Sequence, residues 1–225
     1  MKLSNPVQIL KLDYIKTCKC TGNNINCLTP KEWMTSQLGV WQFNYQKDDI
    51  RDKKIHPATF PIDLVKKCIN LFTHEGELVL DPFSGIATTS VAAKQLKRNS
   101  IGVDLKDAYT QYGNQRLEQV EGKGKHILIT ENSKNIQRII PEKSVKLIVT
   151  SPPYANLLNR KRKNKSRRGS ERNNDQFDKI EQYSQSPDDL GTMPHEQFTQ
   201  EFQNIFKNLR TCLRDDGHII DVCVN

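Results

Sequence analysis

Hydrophobic positions along this chain follow two different spacings. Short apolar runs, which are typical of buried strands, occupy residues 78–80, 100–103, 126–130, 145–150 and 218–224. Apolar residues at helical spacing predict helices at about 61–72, 88–98, 107–120 and 194–213. Strands that alternate with helices in this way predict an α/β fold with a doubly wound, mainly parallel sheet.

The first 50 residues lack this alternation. They contain three cysteines, followed by an aromatic stretch from Trp33 to Tyr45. We expect residues 1–50 to form an N-terminal extension with at least one helix, and residues 51–225 to form the α/β domain.

The net charge of +8 is concentrated in one segment. Between positions 160 and 172 a single acid, Glu171, stands among eight basic residues, which are Arg160, Lys161, Arg162, Lys163, Lys165, Arg167, Arg168 and Arg172. A segment with no apolar anchor is expected to be a solvated loop. Its charge also suits contact with phosphates, so we define residues 159–174 as the basic loop and expect it to contact phosphate groups.

No apolar run reaches the 18 or so residues that a membrane span needs. The N-terminus has no apolar stretch followed by a small-residue cleavage site, so no export signal is predicted. We therefore expect a cytoplasmic protein with reduced cysteines and no membrane partner.

The six cysteines lie at positions 18, 20, 27, 68, 212 and 223. Cys68, Cys212 and Cys223 lie within apolar patterns and are predicted to be buried. Cys18, Cys20 and Cys27 lack a fourth ligand and the usual Cys-x-x-Cys spacing of zinc sites, so the sequence predicts no metal site. His74, His126, His195 and His218 are expected to be structural or surface residues.

Acidic residues follow the first two short apolar runs. Asp81 and Asp104 each end a predicted strand, and ligands of doubly wound sheets bind outside the carboxyl ends of the strands. A carboxylate at Asp81 suits a ligand ammonium group, and one at Asp104 suits ribose hydroxyls. Gly85 leaves space for a close backbone approach.

The turn after Asp81 matches neither of the common phosphate-binding loops. It lacks the Gly-x-Gly-x-x-Gly pattern of dinucleotide sites and the Gly-Lys-Ser/Thr ending of P-loops. A nucleoside ligand without phosphates fits better, and an ordinary strand–turn–helix connection is the alternative. Thr88 or Thr89 is expected to cap the helix that follows.

The fourth strand is followed by Ser151-Pro152-Pro153-Tyr154. Two prolines make a rigid turn without amide donors, so the Pro152 carbonyl can face a ligand amino group. Ser151 adds a hydroxyl and Tyr154 a flat ring for stacking. This combination suits a base flipped out of a duplex, whereas the alternative is a proline-rich surface loop.

Three segments together resemble the motifs of the S-adenosylmethionine-dependent DNA amino-methyltransferases. They are His56-Pro57-Ala58-Thr59-Phe60-Pro61, Asp81-Pro82-Phe83 with Gly85, and Thr150-Ser151-Pro152-Pro153-Tyr154. The resemblance covers about residues 33–225. It implies a class I, Rossmann-like methyltransferase domain and direct transfer of a methyl group to an exocyclic amine. Serine before Pro-Pro-Tyr is associated in the family mostly with cytosine N4, and Asp or Asn with adenine N6.

The resemblance also implies roles for individual residues. The catalytic residues are Ser151, Pro152, Pro153 and Tyr154. The residues expected to bind S-adenosylmethionine are His56, Pro57, Phe60, Asp81, Pro82, Phe83, Gly85, Thr88, Thr89, Asp104 and Asn132. DNA contacts are expected from Arg160, Lys161, Arg162, Lys163, Lys165, Arg167 and Arg168.

The sequence departs from the family pattern in three places. Ala87 replaces the second glycine of the cofactor loop, and Asn132 stands near the position of the usual acidic residue after the third strand. The family's closing antiparallel strands are not expected, because the sequence stops after the fifth strand, at Asn225. The domain in residues 51–225 is therefore expected to be incomplete at its C-terminus.

Four functions remain open from the sequence. The first is a cytosine-N4 DNA methyltransferase of a restriction–modification system, the second an adenine-N6 enzyme, the third a truncated fragment without catalysis, and the fourth an enzyme that acts on RNA. Double-stranded DNA is the expected substrate. A cognate restriction endonuclease, or a second chain that completes the sheet, is the alternative protein partner.

Overall fold

The computed structural model describes residues 15–20, 25–37, 39–52, 55–56, 59–153, 184 and 186–222. Its strands are β1 (Leu78–Asp81), β2 (Asn99–Asp104), β3 (His126–Thr130), β4 (Val145–Thr150) and β5 (Leu213–Asp221). Its α-helices are α1 (Pro30–Ser36), α2 (Lys47–Asp52), α3 (Ile62–Phe72), α4 (Thr88–Gln95), α5 (Asp107–Gln119) and α6 (His195–Cys212). Two short 3₁₀ helices occupy Ser133–Arg138 and Leu190–Thr192.

The five strands form one sheet in the order β3-β2-β1-β4-β5, and every pair among these described strands is parallel. The predicted doubly wound α/β fold is thereby confirmed. The chain moves outward from β1 to β3, then returns to the other side of β1 for β4 and β5. The carboxyl ends of β1 and β4 therefore flank the point where the strand order reverses, which is where such sheets bind ligands.

Helices cover both faces of the sheet because successive strand residues point to opposite sides. Leu78 and Leu80 pack with α6 and the 3₁₀ helices, whereas Val79 packs with α3 and α4. Cys68 and Cys212 are buried in these two clusters, as predicted, while Cys223 lies outside the described residues. No helix in the described part of the chain is long and apolar enough to cross a bilayer.

Residues 214–217, which the sequence pattern placed between the last helix and the last strand, lie inside β5. Leu213 pairs with Val145 and His218 with Leu147, so the ladder skips the residues between them. The buried Lys146 ammonium explains this irregularity, since it donates to both the carbonyl and the carboxylate of Asp216 at 2.8 Å. A buried cation needs such partners, and the looped-out backbone supplies them.

The turn between β1 and α4 contains a residue other than glycine with positive φ. Ala87 precedes α4 at φ 65° and ψ 33°, a conformation that costs roughly 1–2 kcal/mol for an L residue. Its methyl group is buried against Gly113 of α5, where an added Cβ would lie 2.8 Å from the Ala87 Cβ. The absence of a side chain at Gly113 thus makes room for alanine in this turn.

Replacing Ala87 by glycine should change the free energy of unfolding by less than about 1 kcal/mol. Relief of the left-handed conformation is offset by loss of roughly 0.8 kcal/mol for one buried methyl group. Gly113→Ala should instead destabilise by about 1–3 kcal/mol through overpacking. Urea unfolding of both single variants and the double variant measures these changes in the free energy of unfolding. Additive effects would contradict the pairing of these two positions, because Ala87→Gly should relieve part of the overpacking.

Candidate functional site

A cleft that is open to solvent lies at the carboxyl edge of the sheet. Most lining residues come from the loops after β1, β2, β3 and β4 and from the segment before α6, and others come from the segment before α3, from α5 and from α6. The lining residues are His56, Phe83, Asp104, Leu105, Tyr109, Asn132, Ser133, Lys134, Ser151, Pro152, Pro153, Ser184, Asp188, Asp189, Leu190 and Ile205.

Asp104 is held at the end of β2 by two backbone donors. Its Oδ2 accepts the Gly85 N–H at 2.7 Å, and its Oδ1 accepts the Lys106 N–H at 2.9 Å. Burial raises the pKa of this carboxyl to about 6, although the two backbone hydrogen bonds act in the opposite direction. Each carboxylate oxygen keeps a further lone pair, so Asp104 can accept hydroxyl donors in the cleft while it orders both loops.

Asp81 lies behind the cleft rather than on its wall. It is 1% exposed. Its Oδ1 accepts from the Thr150 hydroxyl at 2.8 Å, and its Oδ2 accepts from the Thr89 hydroxyl at 2.6 Å. Burial raises its pKa to about 6, against the effect of these hydrogen bonds. The side chain therefore joins the ends of β1 and β4 to the first turn of α4.

His56 reaches the cleft from the segment before α3 and lies against the backbone of Gly85. A Cβ added to Gly85, which has φ 48°, would lie 3.0 Å from the His56 Nε2. The imidazole also meets the Tyr109 ring edge to face, with centroids 4.7 Å apart. Burial, together with the nearby Lys106 charge, lowers the pKa of His56 to about 4. The ring is therefore neutral at physiological pH.

The Ser151 hydroxyl donates to the carbonyl of Val222, just after β5, at 3.0 Å. A hydroxyl has one proton and two lone pairs. While it makes this bond, Ser151 can act toward a ligand only as an acceptor. Pro152 and Pro153 continue from Ser151 along the cleft wall.

The cleft gathers part of the set expected from the sequence. His56, Phe83, Asp104, Asn132, Ser151, Pro152 and Pro153 line it, whereas Phe60, Asp81, Pro82, Gly85, Thr88 and Thr89 do not. Pro57, Tyr154 and the basic residues from Arg160 to Arg168 lie outside the described residues.

Several residues that do not line the cleft support it. The Pro82 carbonyl accepts from the Ser133 hydroxyl, and the Thr88 hydroxyl accepts from the Arg116 guanidinium. The expectation that Thr88 or Thr89 caps α4 is wrong, since both lie inside its first turn and the preceding residue makes no side-chain cap. Phe60 packs with the apolar cluster around α3.

Other lining residues were missed by the sequence analysis. Tyr109 could have been found, because it lies in the first turn of the helix that follows Asp104. No local pattern marked Asp189 or Ile205. They reach the cleft because α6 and the segment before it fold back over the sheet.

Comparison with known families gives a match between residues 8–115 and the family model described as DNA methylase, N6_N4_Mtase. The matched range includes His56, Asp81 and Asp104. It ends before the segment that begins at Ser151.

Curated proteins with similar sequences include Type II methyltransferases. The Type II methyltransferase M.BglI of Bacillus subtilis is 36% identical over 94 residues, which are 41% of this chain and 26% of that protein. M1.MboII of Moraxella bovis is 35% identical over 101 residues, or 40% of this chain and 39% of that protein. The chain thus spans well under half the length of these relatives.

Solved structures with a similar arrangement include a TehB-like SAM-dependent methyltransferase from Corynebacterium glutamicum. The TM-score is 0.44 and the identity 13%, over 77% of this chain and 68% of that one. An rRNA methylase from Streptococcus thermophilus gives a TM-score of 0.43 at 16% identity, over 73% and 70% of the two chains.

Proposed function

We propose that this chain, whose residues 8–115 match the family model described as DNA methylase, N6_N4_Mtase, methylates the exocyclic N4 of cytosine in DNA. One observation carries the proposal: the segment Ser151-Pro152-Pro153 lines the same cleft as His56 and Asp104. Groups suited to an amino-bearing base and groups suited to a nucleoside cofactor therefore share one space. By analogy with its Type II relatives, we place the protein in a restriction–modification system.

The methyl donor is S-adenosylmethionine, and the donor set of the cleft fits it. When bound, it supplies an electrophilic methyl group on a positively charged sulfur. Asp104 offers carboxylate lone pairs to ribose hydroxyls, and Phe83 offers an apolar surface. Asn132 offers amide groups beside Lys134, whose N–H it already accepts at 3.0 Å.

The neutral state of His56 suits a cationic cofactor. With a pKa of about 4, this imidazole carries no charge that would repel a sulfonium or an ammonium group. Its contacts with Gly85 and Tyr109 hold the ring in place. We assign His56 to the methionine end of the cofactor and Asp104 to the ribose end.

At the base, Ser151 and the Pro152 carbonyl supply acceptors for the amine protons. The lone pair of an exocyclic amine is delocalised into the ring, so acceptors that draw its protons out of plane raise its nucleophilicity. Ser151 is oriented for this role because its own proton is committed to Val222. Positioning supplies the rest of the catalysis, and we propose stacking of the base on Tyr154.

The choice of cytosine rests on Ser151, and product analysis tests it. The protein should be incubated with unmethylated DNA and S-adenosylmethionine, and the digested nucleosides separated by mass spectrometry. We expect N4-methylcytosine. N6-methyladenine as the only product would contradict the cytosine assignment, and cofactor binding without any methylated nucleoside would indicate a non-catalytic fragment.

We further propose that the basic loop contacts DNA phosphates beside the flipped base. Replacing Arg167 and Arg168 together by glutamine should reduce the slope of log K against log salt concentration by about 2, because each phosphate contact contributes roughly 0.9. Fluorescence anisotropy at several salt concentrations measures this slope.

The matched control for the basic loop removes the same charge at the amino edge of the sheet. Lys123 and Lys125 are exposed and precede β3 at its amino end, so their replacement by glutamine should leave the slope nearly unchanged. An equal effect of both pairs would mean that only net charge matters.

Cofactor binding should weaken in acid because Asp104 must be ionised to accept two ribose hydroxyls. Its pKa of about 6 leaves roughly one tenth ionised near pH 5, so the affinity should fall about tenfold from pH 7 to pH 5. The sign follows from protonation as pH falls through the raised pKa, whereas His56 stays neutral throughout. Calorimetry at the two pH values measures the ratio. Asp104→Asn should abolish most of the difference, and an unchanged ratio in that variant would assign the titration to another group such as Asp81.

A further inference from the structure

A cluster of four possible metal ligands lies outside the cleft. It consists of Cys18, Cys20, Cys27 and His74, whose ligand atoms all lie within 4.8 Å of one another. The first three belong to the N-terminal extension, and His74 belongs to the turn between α3 and β1. Cys18, Cys20 and Cys27 are free thiols in the structure. From this geometry we propose that the four residues bind a structural zinc ion.

The distances within the cluster fit tetrahedral zinc coordination. Cys18 Sγ lies 3.4 Å from His74 Nδ1, and Cys27 Sγ lies 3.6 Å from the same nitrogen. Bond lengths of about 2.3 Å to sulfur and 2.0–2.1 Å to nitrogen place S and N about 3.5–3.6 Å apart around a tetrahedral ion. The two observed sulfur–nitrogen distances agree with that value. A set of three thiolates and one imidazole selects zinc over the harder cations.

Hydrogen bonds within the protein hold the residues around the cluster in place. Thr17 N–H donates to the Glu75 carbonyl at 2.8 Å, and Asn26 Nδ2 donates to the Leu71 carbonyl at 2.7 Å. The backbone N–H of His74 donates to the Glu77 carboxylate at 2.7 Å. These bonds hold both halves of the ligand set against each other, so little reorganisation is needed to close the site.

A buried cation lies beside the cluster. The Arg98 guanidinium donates to the Thr73 carbonyl at 2.8 Å, next to His74. It is close enough to Cys18 and Cys27 to interact electrostatically with both. Three thiolates on one zinc ion leave a net negative charge, which this buried cation partly compensates.

The position of the cluster indicates a structural role. His74 precedes the start of β1, whereas the cleft lies at the carboxyl ends of the strands. Four protein ligands fill the coordination shell, which is the pattern of closed structural sites rather than catalytic ones. The ion would fasten Cys18, Cys20 and Cys27 of the extension to the turn that joins α3 to β1.

Sequence analysis predicted no metal site because Cys18, Cys20 and Cys27 had no fourth ligand nearby. His74 is 47 residues beyond Cys27 along the chain, and only the packing of the extension on the turn brings them together. The spacing of Cys18 and Cys20, with one residue between them, also hid the pattern.

Metal analysis of the full chain tests the proposal. The reduced protein should be equilibrated with zinc, desalted and measured by plasma mass spectrometry, with about one zinc ion expected per chain. Cobalt titration should give the intense visible bands of a tetrahedral thiolate site. Protein that retains no zinc and gives no such bands would overturn the proposal.

Variants assign the ligands. Cys20→Ala should lower the zinc affinity at least tenfold, since the loss of a thiolate opens the closed shell. Cys68→Ala is the matched control, because Cys68 is a free cysteine buried beside α4 and away from the cluster, and it should bind zinc as the parent does. Equal zinc binding by Cys20→Ala and the parent contradicts the proposed ligand set.

Thiol counting separates a zinc site from a disulfide. In denaturant without reductant, the zinc-loaded protein should release all three thiols of the cluster after a chelator is added. A disulfide between any two of Cys18, Cys20 and Cys27 in that protein would overturn the proposal. None of these readouts depends on methyl transfer, so a failure of the proposed activity leaves the metal test intact.

Discussion

The Ser151→Ala variant should lose about 10²–10³-fold in kcat while the affinity for S-adenosylmethionine stays within about twofold. Removing one group that stabilises developing charge in a preorganised site has an effect of this size. Ser151 is expected to accept a hydrogen bond from the target amine during methyl transfer. The loss should therefore fall on kcat rather than on cofactor binding. Single-turnover methylation of DNA and calorimetric titration of the cofactor measure the two quantities separately.

Ser144→Ala is the matched control for Ser151. Ser144 immediately precedes β4, whereas Ser151 immediately follows it, and each hydroxyl donates to a backbone carbonyl. Both variants therefore lose one hydrogen bond of similar kind, and only Ser151 lines the cleft. Equal kcat values for the two variants would exclude Ser151 from catalysis. A loss of cofactor affinity in Ser151→Ala would point instead to a collapse of the cleft wall.

The Asp104→Asn variant should bind S-adenosylmethionine roughly 100-fold more weakly. Hydrogen bonds to charged groups contribute about 1.5–3 kcal/mol each, and an amide has one acceptor oxygen where the carboxylate has two. The amide NH₂ would also face either the Gly85 or the Lys106 N–H, because each of these now donates to a separate carboxylate oxygen. Calorimetry at pH 7 measures the affinity, and urea unfolding measures the accompanying loss of stability.

Asp107→Asn provides the comparison for Asp104. Asp107 is an exposed residue at the start of α5, only three positions away, and it does not line the cleft. Its carboxylate accepts from Gln111 and Thr130, so the same chemical change is made in a neighbouring hydrogen-bonded carboxylate. Cofactor affinity should stay close to that of the parent protein. If both variants weaken binding equally, Asp104 acts through the stability of this region rather than by contact.

The spacing of apolar residues was sufficient to predict much of the secondary structure. Helix α5 spans Asp107–Gln119 where 107–120 was predicted, and β4 spans Val145–Thr150 as predicted. Apolar spacing reports burial directly, so such elements can be recognised from the sequence. The boundaries at 213–217 were wrong because they depend on Lys146, the second residue of β4, which draws the backbone of Asp216 toward itself.

The candidate site could be predicted only where a motif ends a strand. Asp104 and Ser151 line the cleft because strand ends of a parallel sheet meet at one edge. Asp81 satisfies the same rule, yet Thr89 and Thr150 occupy both of its oxygens. Whether a carboxylate at a strand end faces a ligand or the protein depends on these neighbours. They belong to other elements, so the sequence of one strand does not reveal them.

The sequence by itself determined the alternation of strands and helices, the two motifs at the ends of β1 and β4, and the family that they resemble. These features depend on residues close together in the chain. The tertiary structure decided which motif residues share the cleft, why Ala87 fits opposite Gly113, and that His74 joins Cys18, Cys20 and Cys27. Each of these is a contact between distant segments, and packing rather than local preference brings such segments within bonding distance.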